Sequence, residues 1–324
     1  MKGKIGPATE LLRPILDTYM DAAVAVVGCN SRDLERYSCE YDIIVVTGDR
    51  RPSTSLRIGD TFVDLVFVSE KEVLKPVNPE HAMAVALSRP VRDTALVLST
   101  GAAANSAVFS ESAKKASETR LASSLKTLGR AEAALSGGML MDADFWLLAS
   151  SYEYGYARLL SREILPSPSH LLFQLREPAK GTPRSFEGVS MGAGLEAAGR
   201  AGCGARLEGI TVLHDLLREG SKAETSESSW PQVRTEILVS KTQELMTRAE
   251  LAECYSFLGQ EFVDGMMNLL RLHPKRTLAS LTSDGDRLLG ERLMRQLGLA
   301  RNEKAVRIGI EMVKQQVSML ARRP

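Results

Sequence analysis

Val26-Val27-Gly28-Cys29-Asn30-Ser31-Arg32, followed by Glu40-Tyr41-Asp42-Ile43-Ile44-Val45-Val46, decides how this chain is read. The first stretch predicts a strand that ends in a glycine turn carrying an arginine. The second predicts a strand that opens with two carboxylates. Alternate side chains of a strand share a face, so Glu40 and Asp42 point the same way. A third acid, Asp64, interrupts the apolar run Phe62-Val63-Asp64-Leu65-Val66-Phe67-Val68. Placing an acid in such a strand is costly unless a cation, a proton or hydrogen bonds offset the desolvation. Three acids aimed at one spot beside a glycine turn predict a Mg²⁺ site next to a phosphate cradle.

The rest of the chain sets the frame. Its 324 residues are enough for about two domains of ordinary size. A hydrophobic content of 44% and a charged content of 25% are those of a soluble globular protein. The formal net charge of +1 excludes a strong global field for nucleic acid or anionic membrane, although a local basic groove is compatible with it. Cys29, Cys39, Cys203 and Cys254 form no CxxC pair, which argues against a zinc site, and such sparse usage predicts a reducing compartment. The start, Met1-Lys2-Gly3-Lys4, is not followed by an apolar core segment, and no apolar run is long enough to span a bilayer. The expected location is the cytoplasm, with no membrane partner.

Along the first hundred residues, the pattern predicts a helix over 8–21 with Pro14 kinking or delaying it, and strands over Ala23–Gly28 and Glu40–Thr47. Residues 30–37 read as a short helix or loop. Ser55–Ile58 and Thr61–Val68 predict a hairpin around Gly59-Asp60. Lys71–Leu74 and Pro79–Leu87 read as helices, and Ala95–Ser99 as a last strand.

After residue 110 strand-like runs vanish. Leu121, Leu125, Leu128, Ala131 and Leu135 fall at helical steps, stopped by Ser136-Gly137-Gly138. Helices are predicted over 141–162 and His170–Arg176, separated by Pro166-Ser167-Pro168-Ser169. Residues 178–204 are rich in glycine; within them Gly192-Ala193-Gly194 lacks the preceding strand that a dinucleotide turn needs and reads as a flexible loop over or between helices. Glu219–Ser229 reads as an exposed charged loop. Two or three helices follow. The last, Glu303–Arg322, carries Val306, Ile310, Val313, Val317 and Leu320, a face for docking or dimerisation. The predicted fold class is α+β: a small mixed-sheet domain over 1–110, then an all-helical domain over 111–324.

These residues resemble the nucleotidyltransferases of the DNA polymerase beta type, especially the minimal and kanamycin-nucleotidyltransferase-like branches. The signature of that superfamily is a hydrophobic residue, Gly-Ser, two variable residues and an Arg, then an acid-hydrophobic-acid strand, then a third acid on a neighbouring strand. Here Gly28-Cys29 stands for Gly-Ser, Arg32 for the arginine, Glu40-Tyr41-Asp42 for the acid pair and Asp64 for the third acid. Ala95–Ser99 resembles a later strand of that domain. The specific match covers about residues 23–68, and the helical remainder is similar in kind to the helical domain many members carry. Cys29 and Glu40 depart from the pattern, where Ser and Asp are usual.

The resemblance implies transfer of a nucleoside monophosphate from an NTP such as ATP to an acceptor hydroxyl, with release of pyrophosphate. It implies that Glu40, Asp42 and Asp64 are both catalytic and metal-binding, holding one or two Mg²⁺ ions, with Asp64 nearest the acceptor. Gly28, Cys29, Asn30 and Arg32 would bind the nucleotide phosphates. A helical domain would hold the acceptor, which is a small molecule, a protein side chain or an RNA end, Arg50-Arg51 and Arg57 keeping the last open. A homodimer or protein partner would use the helical domain. Glu153 reads as a helix-surface acid, and His81, His170, His214 and His273 as cap, core or surface residues. Cys29 and Glu40 also motivate a different class: a degenerate nucleotide-binding or protein-interaction module, antitoxin-like, on the same fold.

Overall fold

Strands β1 (Ala23–Val27) and β2 (Tyr41–Val46) are almost uninterrupted runs of Val, Ile and Ala, and such strands are stable only where both faces are covered. The computed structural model covers both faces. It describes residues 10–32, 39–48, 51–176, 183–223, 232–272, 290–299 and 301–322. The chain forms two compact units, Met1–Ala113 and Lys114–Pro324, and the fold class is α+β.

In the first unit β1 and β2 lie inside a five-stranded sheet of order β3-β4-β2-β1-β5, with β3 at Thr54–Ile58, β4 at Thr61–Val68 and β5 at Arg89–Arg92. The sheet is mixed: β2 runs parallel to β4, and the other neighbouring pairs are antiparallel. Val24, Val26, Ile43, Val45, Val63, Leu65 and Phe67 bury one face beneath Leu12 and Ile15, which flank the start of helix α1 (Arg13–Thr18). Ala25, Val27, Ile44 and Val68 bury the other against Val73 of α2 (Glu70–Leu74), Val85 of α3 (Pro79–Ala86) and Leu98 of α4 (Val97–Ala107). Pro14 sits in the first turn of α1, where its missing N–H costs nothing; Glu10 and Leu11 are already helical, and the helix is interrupted at Leu12 before α1 begins.

One predicted strand is a helix. Ala95–Ser99 does not extend the sheet; Val97 onward is α4. The Asp93 carboxylate accepts hydrogen bonds from Leu98 N at 3.0 Å, Ser99 N at 2.7 Å and Ser99 Oγ at 2.6 Å, and so caps the helix from outside the apolar run. Gly101 lets α4 approach α2: a Cβ there would lie 2.6 Å from Val73 Cγ1. The last strand is instead Arg89-Pro90-Val91-Arg92, and its proline suits the sheet edge that β5 occupies.

The second unit contains helices throughout its described residues. α5 (Phe109–Ser136) begins in the first unit, and α6 (Leu140–Leu160), α7 (Leu171–Arg176), α8 (Pro183–Ala193) and α9 (Arg200–Ala223) follow. Then come α10 (Gln232–Thr247), α11 (Leu251–Leu272), α12 (Glu291–Gln296) and α13 (Glu303–Ala321). Four described helices therefore follow the charged segment, where two or three were expected, and residues 219–223 of that segment are the end of α9. Leu125, expected on the buried stripe of α5, is 49% exposed; the face that is buried carries Ala113, Ala116, Ser124, Leu128 and Ala131.

Gly192 and Ala193 are the last residues of α8 and not part of a loop, and Gly194 follows them with a left-handed φ of +67°. Gly188 and Gly192 lie inside α8, and a Cβ on Gly192 would sit 2.4 Å from Ser151 Cβ of α6. These glycines permit close helix packing. The apolar face of α13 is not available for docking either: Val306, Ile310, Val313, Val317 and Leu320 are buried within the unit, where α13 packs on α6 and α8. No helix among the described residues is long and apolar enough to cross a membrane. Expectations for residues 8–9, 33–37, Asp49, Arg50, 178–182, 224–229 and His273 lie outside the described residues.

Candidate metal centre

Register brings the acids together. Asp42 and Asp64 are direct partners in the parallel β2–β4 ladder, and partners in a ladder share a face. The row continues to Val27 of β1 on one side and Ser55 of β3 on the other. Glu40 precedes β2 by one residue and shares the face of Asp42. One carboxylate oxygen from each of Glu40, Asp42 and Asp64 lies within 4.8 Å of the other two. All three residues are half-buried, and Glu40 Oε2 and Asp64 Oδ1 are shut off from solvent.

At that separation, two ionised carboxylates repel by about 3 kcal/mol in a medium of effective dielectric about 20. Three such groups therefore raise the energy of the fold unless a positive charge stands among them. Carboxylate oxygens are the hard donors that Mg²⁺ and Ca²⁺ take, and the absence of sulfur or imidazole from the trio disfavours softer metals. The residues present fit a divalent hard cation. The additional methylene of Glu40 does not take its carboxylate out of the set.

The turn after β1 is built around the same point. Gly28 has φ +69°, a left-handed conformation that favours glycine, and a Cβ there would stand 1.9 Å from Asp42 Oδ2. Glycine is thus required twice, by its backbone and by its neighbour. Arg32 N donates to Cys29 O at 3.1 Å, and Ser31 Oγ and Arg32 Nε both donate to Gly28 O at 3.0 Å. Asn30 Nδ2 donates to Glu40 O at 2.7 Å, which ties the turn directly to the acid strand.

The four expected phosphate residues have distinct environments. Cys29 and Asn30 are buried, and the Asn30 amide is a clip between turn and strand. Arg32 is half-buried and held by the turn, unlike an ordinary surface arginine. Burial lowers its pKa below the ordinary 12.5, while Cys29 and Asp42 act in the opposite sense, so its cation and the Asp42 carboxylate are electrostatically linked. Arg57 lies over the Phe62 ring at 5.7 Å and pairs with Asp60 at 3.2 Å, at the hairpin end.

Two residues of the site were missed. Ser31 braces the turn through Gly28 O, and Ser55 is paired with Asp64 on the acid-bearing face. The Gly59-Asp60 turn fixes the β3–β4 register and was the signal that could have found Ser55. Glu153 is not a free surface acid: it is half-buried and accepts from Arg120 Nη1 at 3.0 Å. His214 is fully buried beside Thr235 Oγ1 at 3.0 Å, and burial, then Arg234 and Arg218, lower its pKa to about 3. It is a neutral core histidine.

No protein-family model and no curated protein matches the chain. Among solved structures the chain is similar to a nucleotidyltransferase-like protein from Exiguobacterium sibiricum, with 14% identity over 86% of this chain and 85% of that one, and a TM-score of 0.35. A likeness of that strength carries no weight for function, which rests on the geometry above.

Proposed function

We propose that this chain is a Mg²⁺-dependent nucleotidyltransferase that moves a nucleoside monophosphate from an NTP, such as ATP, to an acceptor hydroxyl and releases pyrophosphate. One observation carries the reading: Glu40, Asp42 and Asp64 converge within 4.8 Å on paired strands, directly beside a turn whose Gly28 leaves no room for a side chain. Mg²⁺ held by Glu40, Asp42 and Asp64, as one or two ions, would stabilise negative charge on the entering and leaving oxygens.

The chain's own groups divide the remaining work. N–H groups of the Gly28–Asn30 turn would donate to the phosphate oxygens, with Gly28 leaving room for the Asp42 carboxylate beside them. Arg32 neutralises phosphate charge from the same side. Asp64 takes the proton of the acceptor hydroxyl as its oxygen bonds to the α-phosphorus. The bond from that phosphorus to the β-bridging oxygen breaks, and pyrophosphate leaves with the electron pair. The acceptor remains open among a small molecule, a protein side chain and an RNA end.

A second reading has its own observation. The Asn30 and Ser31 side chains are directed to main-chain carbonyls, and Cys29 is buried where a phosphate-binding hydroxyl would be useful. Those features favour a nucleotide-binding or protein-interaction module, antitoxin-like, that retains the metal-nucleotide without transferring it. The test is NTP labelled at the α-phosphate, offered with pools of small molecules, proteins and RNA. Label appearing on an acceptor with wild type and absent with Asp42→Asn supports the transferase. Nucleotide binding without label transfer to any pool supports the module.

A further inference from the structure

The helical unit holds a cavity of about 420 Å³, lined by none of the residues to which the transfer reading gives a role. Its wall carries Arg120 from α5, Arg234 from α10 and Arg271 from α11, with Glu153 and Tyr156 from α6 and Asp264 from α11. We infer that this cavity is a binding site for a small oxyanion, a phosphate- or carboxylate-bearing molecule with an apolar body.

The three guanidinium groups argue for an anion. Arg120 is matched by Glu153, at 3.0 Å, and lies over the Tyr156 ring at 5.0 Å. Its guanidinium is therefore fixed in direction. Arg234 meets Glu261 only at 3.3–3.4 Å, longer than an optimal charged pair. Arg271 bonds the neutral Asn268 side chain, Nη1 to Oδ1 at 3.2 Å. Three guanidinium groups thus stand among three acids, Glu153 and Asp264 on the wall and Glu261 beside Arg234, and a guanidinium fork is the group best shaped for phosphate or carboxylate. Tyr156, Val263 and Met267 give the cavity an apolar side, as small-molecule sites require. Its volume lies in the range of such sites.

Asp264 makes the site responsive to protonation. Its carboxyl reaches the solvent of the cavity yet stands among Glu261 and Arg271 of its own helix, Arg234 of α10 and Arg120 of α5, with Glu153 of α6 on the same wall. Desolvation, then the Glu261 charge, raises its pKa to about 6 against the opposing arginines. Protonation removes one of the three acids, leaves the arginines in excess and provides a donor. An anion bound beside it favours the protonated form, so binding takes up a proton and strengthens as pH falls through about 6.

The probes are phenyl phosphate and benzoate, titrated calorimetrically into the full-length chain with a chelator present. At least one should bind. Arg234→Gln and Arg271→Gln should each weaken it about ten-fold, because each removes a charge-assisted bond. Benzoate keeps its charge near pH 6 and serves for the pH arm: its affinity should rise on acidification in wild type and stay flat in Asp264→Asn, whose isosteric side chain keeps the fold. Preference for phenyl phosphate identifies phosphate esters as the ligand class, and preference for benzoate identifies carboxylates. Binding of neither probe, or binding indifferent to both arginine variants, would overturn the inference. Asp42→Asn should leave probe binding unchanged, so this inference and the transferase reading fail separately.

Discussion

Gly28→Ala joins backbone strain, packing and the acid cluster in one substitution. Alanine at φ +69° costs about 1 kcal/mol, because its Cβ crowds the following carbonyl. Its Cβ would also stand 1.9 Å from Asp42 Oδ2, 2.9 Å from Asp42 Cγ and 3.2 Å from Asp42 Cβ. The carboxylate must move by more than 1 Å to regain ordinary contact, and leaving its rotamer adds about 1 kcal/mol. The sum is about 2 kcal/mol, which for a unit of roughly a hundred residues lowers the melting temperature by on the order of 10 °C. The assay is calorimetric unfolding in a chelator for wild type, Gly28→Ala, Asp42→Ala and the double variant. Removing the Asp42 carboxylate removes the clash, so the double variant should retain only the backbone cost, with a coupling of about 1 kcal/mol. Additive single costs, or an unperturbed Gly28→Ala, would refute the contact between Gly28 and Asp42.

The other expectations are independent of that contact. In a chelator, Asp42→Asn should leave the first unit as stable as wild type or more stable by about 1–3 kcal/mol, since relief of repulsion from Glu40 and Asp64 outweighs the lost attraction to Arg32; chemical denaturation reads this, and a clear loss would mean that the attraction to Arg32 outweighs the repulsion among the acids. Gly192→Ala gains about 1 kcal/mol of helix propensity but places a Cβ 2.4 Å from Ser151 Cβ, and overpacking of about 2–3 kcal/mol wins; the second unit should melt lower. His214 has its folded pKa depressed to about 3, so its neutral form is required by the fold. The unfolded chain takes up a proton below about 6.5, and stability is lost as pH falls from there toward 3; at pH ~5 the loss is about 2 kcal/mol. Comparison of wild type with His214→Gln between pH ~7 and pH ~5 isolates it, and equal slopes would contradict the burial.

Much of the centre was legible because a buried strand has a period of two. Glu40 and Asp42 had to share a face, and an acid within Phe62–Val68 had to be compensated. The parallel register that sets Asp64 beside Asp42 was not legible, because it pairs segments separated by another strand. Gly28 was readable as a turn, but its second reason, the Asp42 carboxylate against it, exists only in three dimensions. Ala95–Ser99 misled because a short apolar run fits a strand or a buried helix equally, and Asp93, which decides, lies outside the run. Gly192 misled because glycine marks both loops and close helix contacts. The α13 stripe was correctly periodic, but periodicity cannot say whether a face meets a partner or its own chain, and here it meets α6 and α8.

The central claim is that three carboxylates hold a metal-nucleotide, and thermal unfolding with Mg²⁺ and each NTP in turn tests it without knowledge of the acceptor. Ligand at about a hundred times its dissociation constant adds about 2.7 kcal/mol to the state that binds it. The account predicts a rise in melting temperature for wild type with at least one Mg²⁺–NTP and none for the variant carrying Asp42→Asn and Asp64→Asn. No rise with any NTP, or an equal rise in the variant, would contradict it.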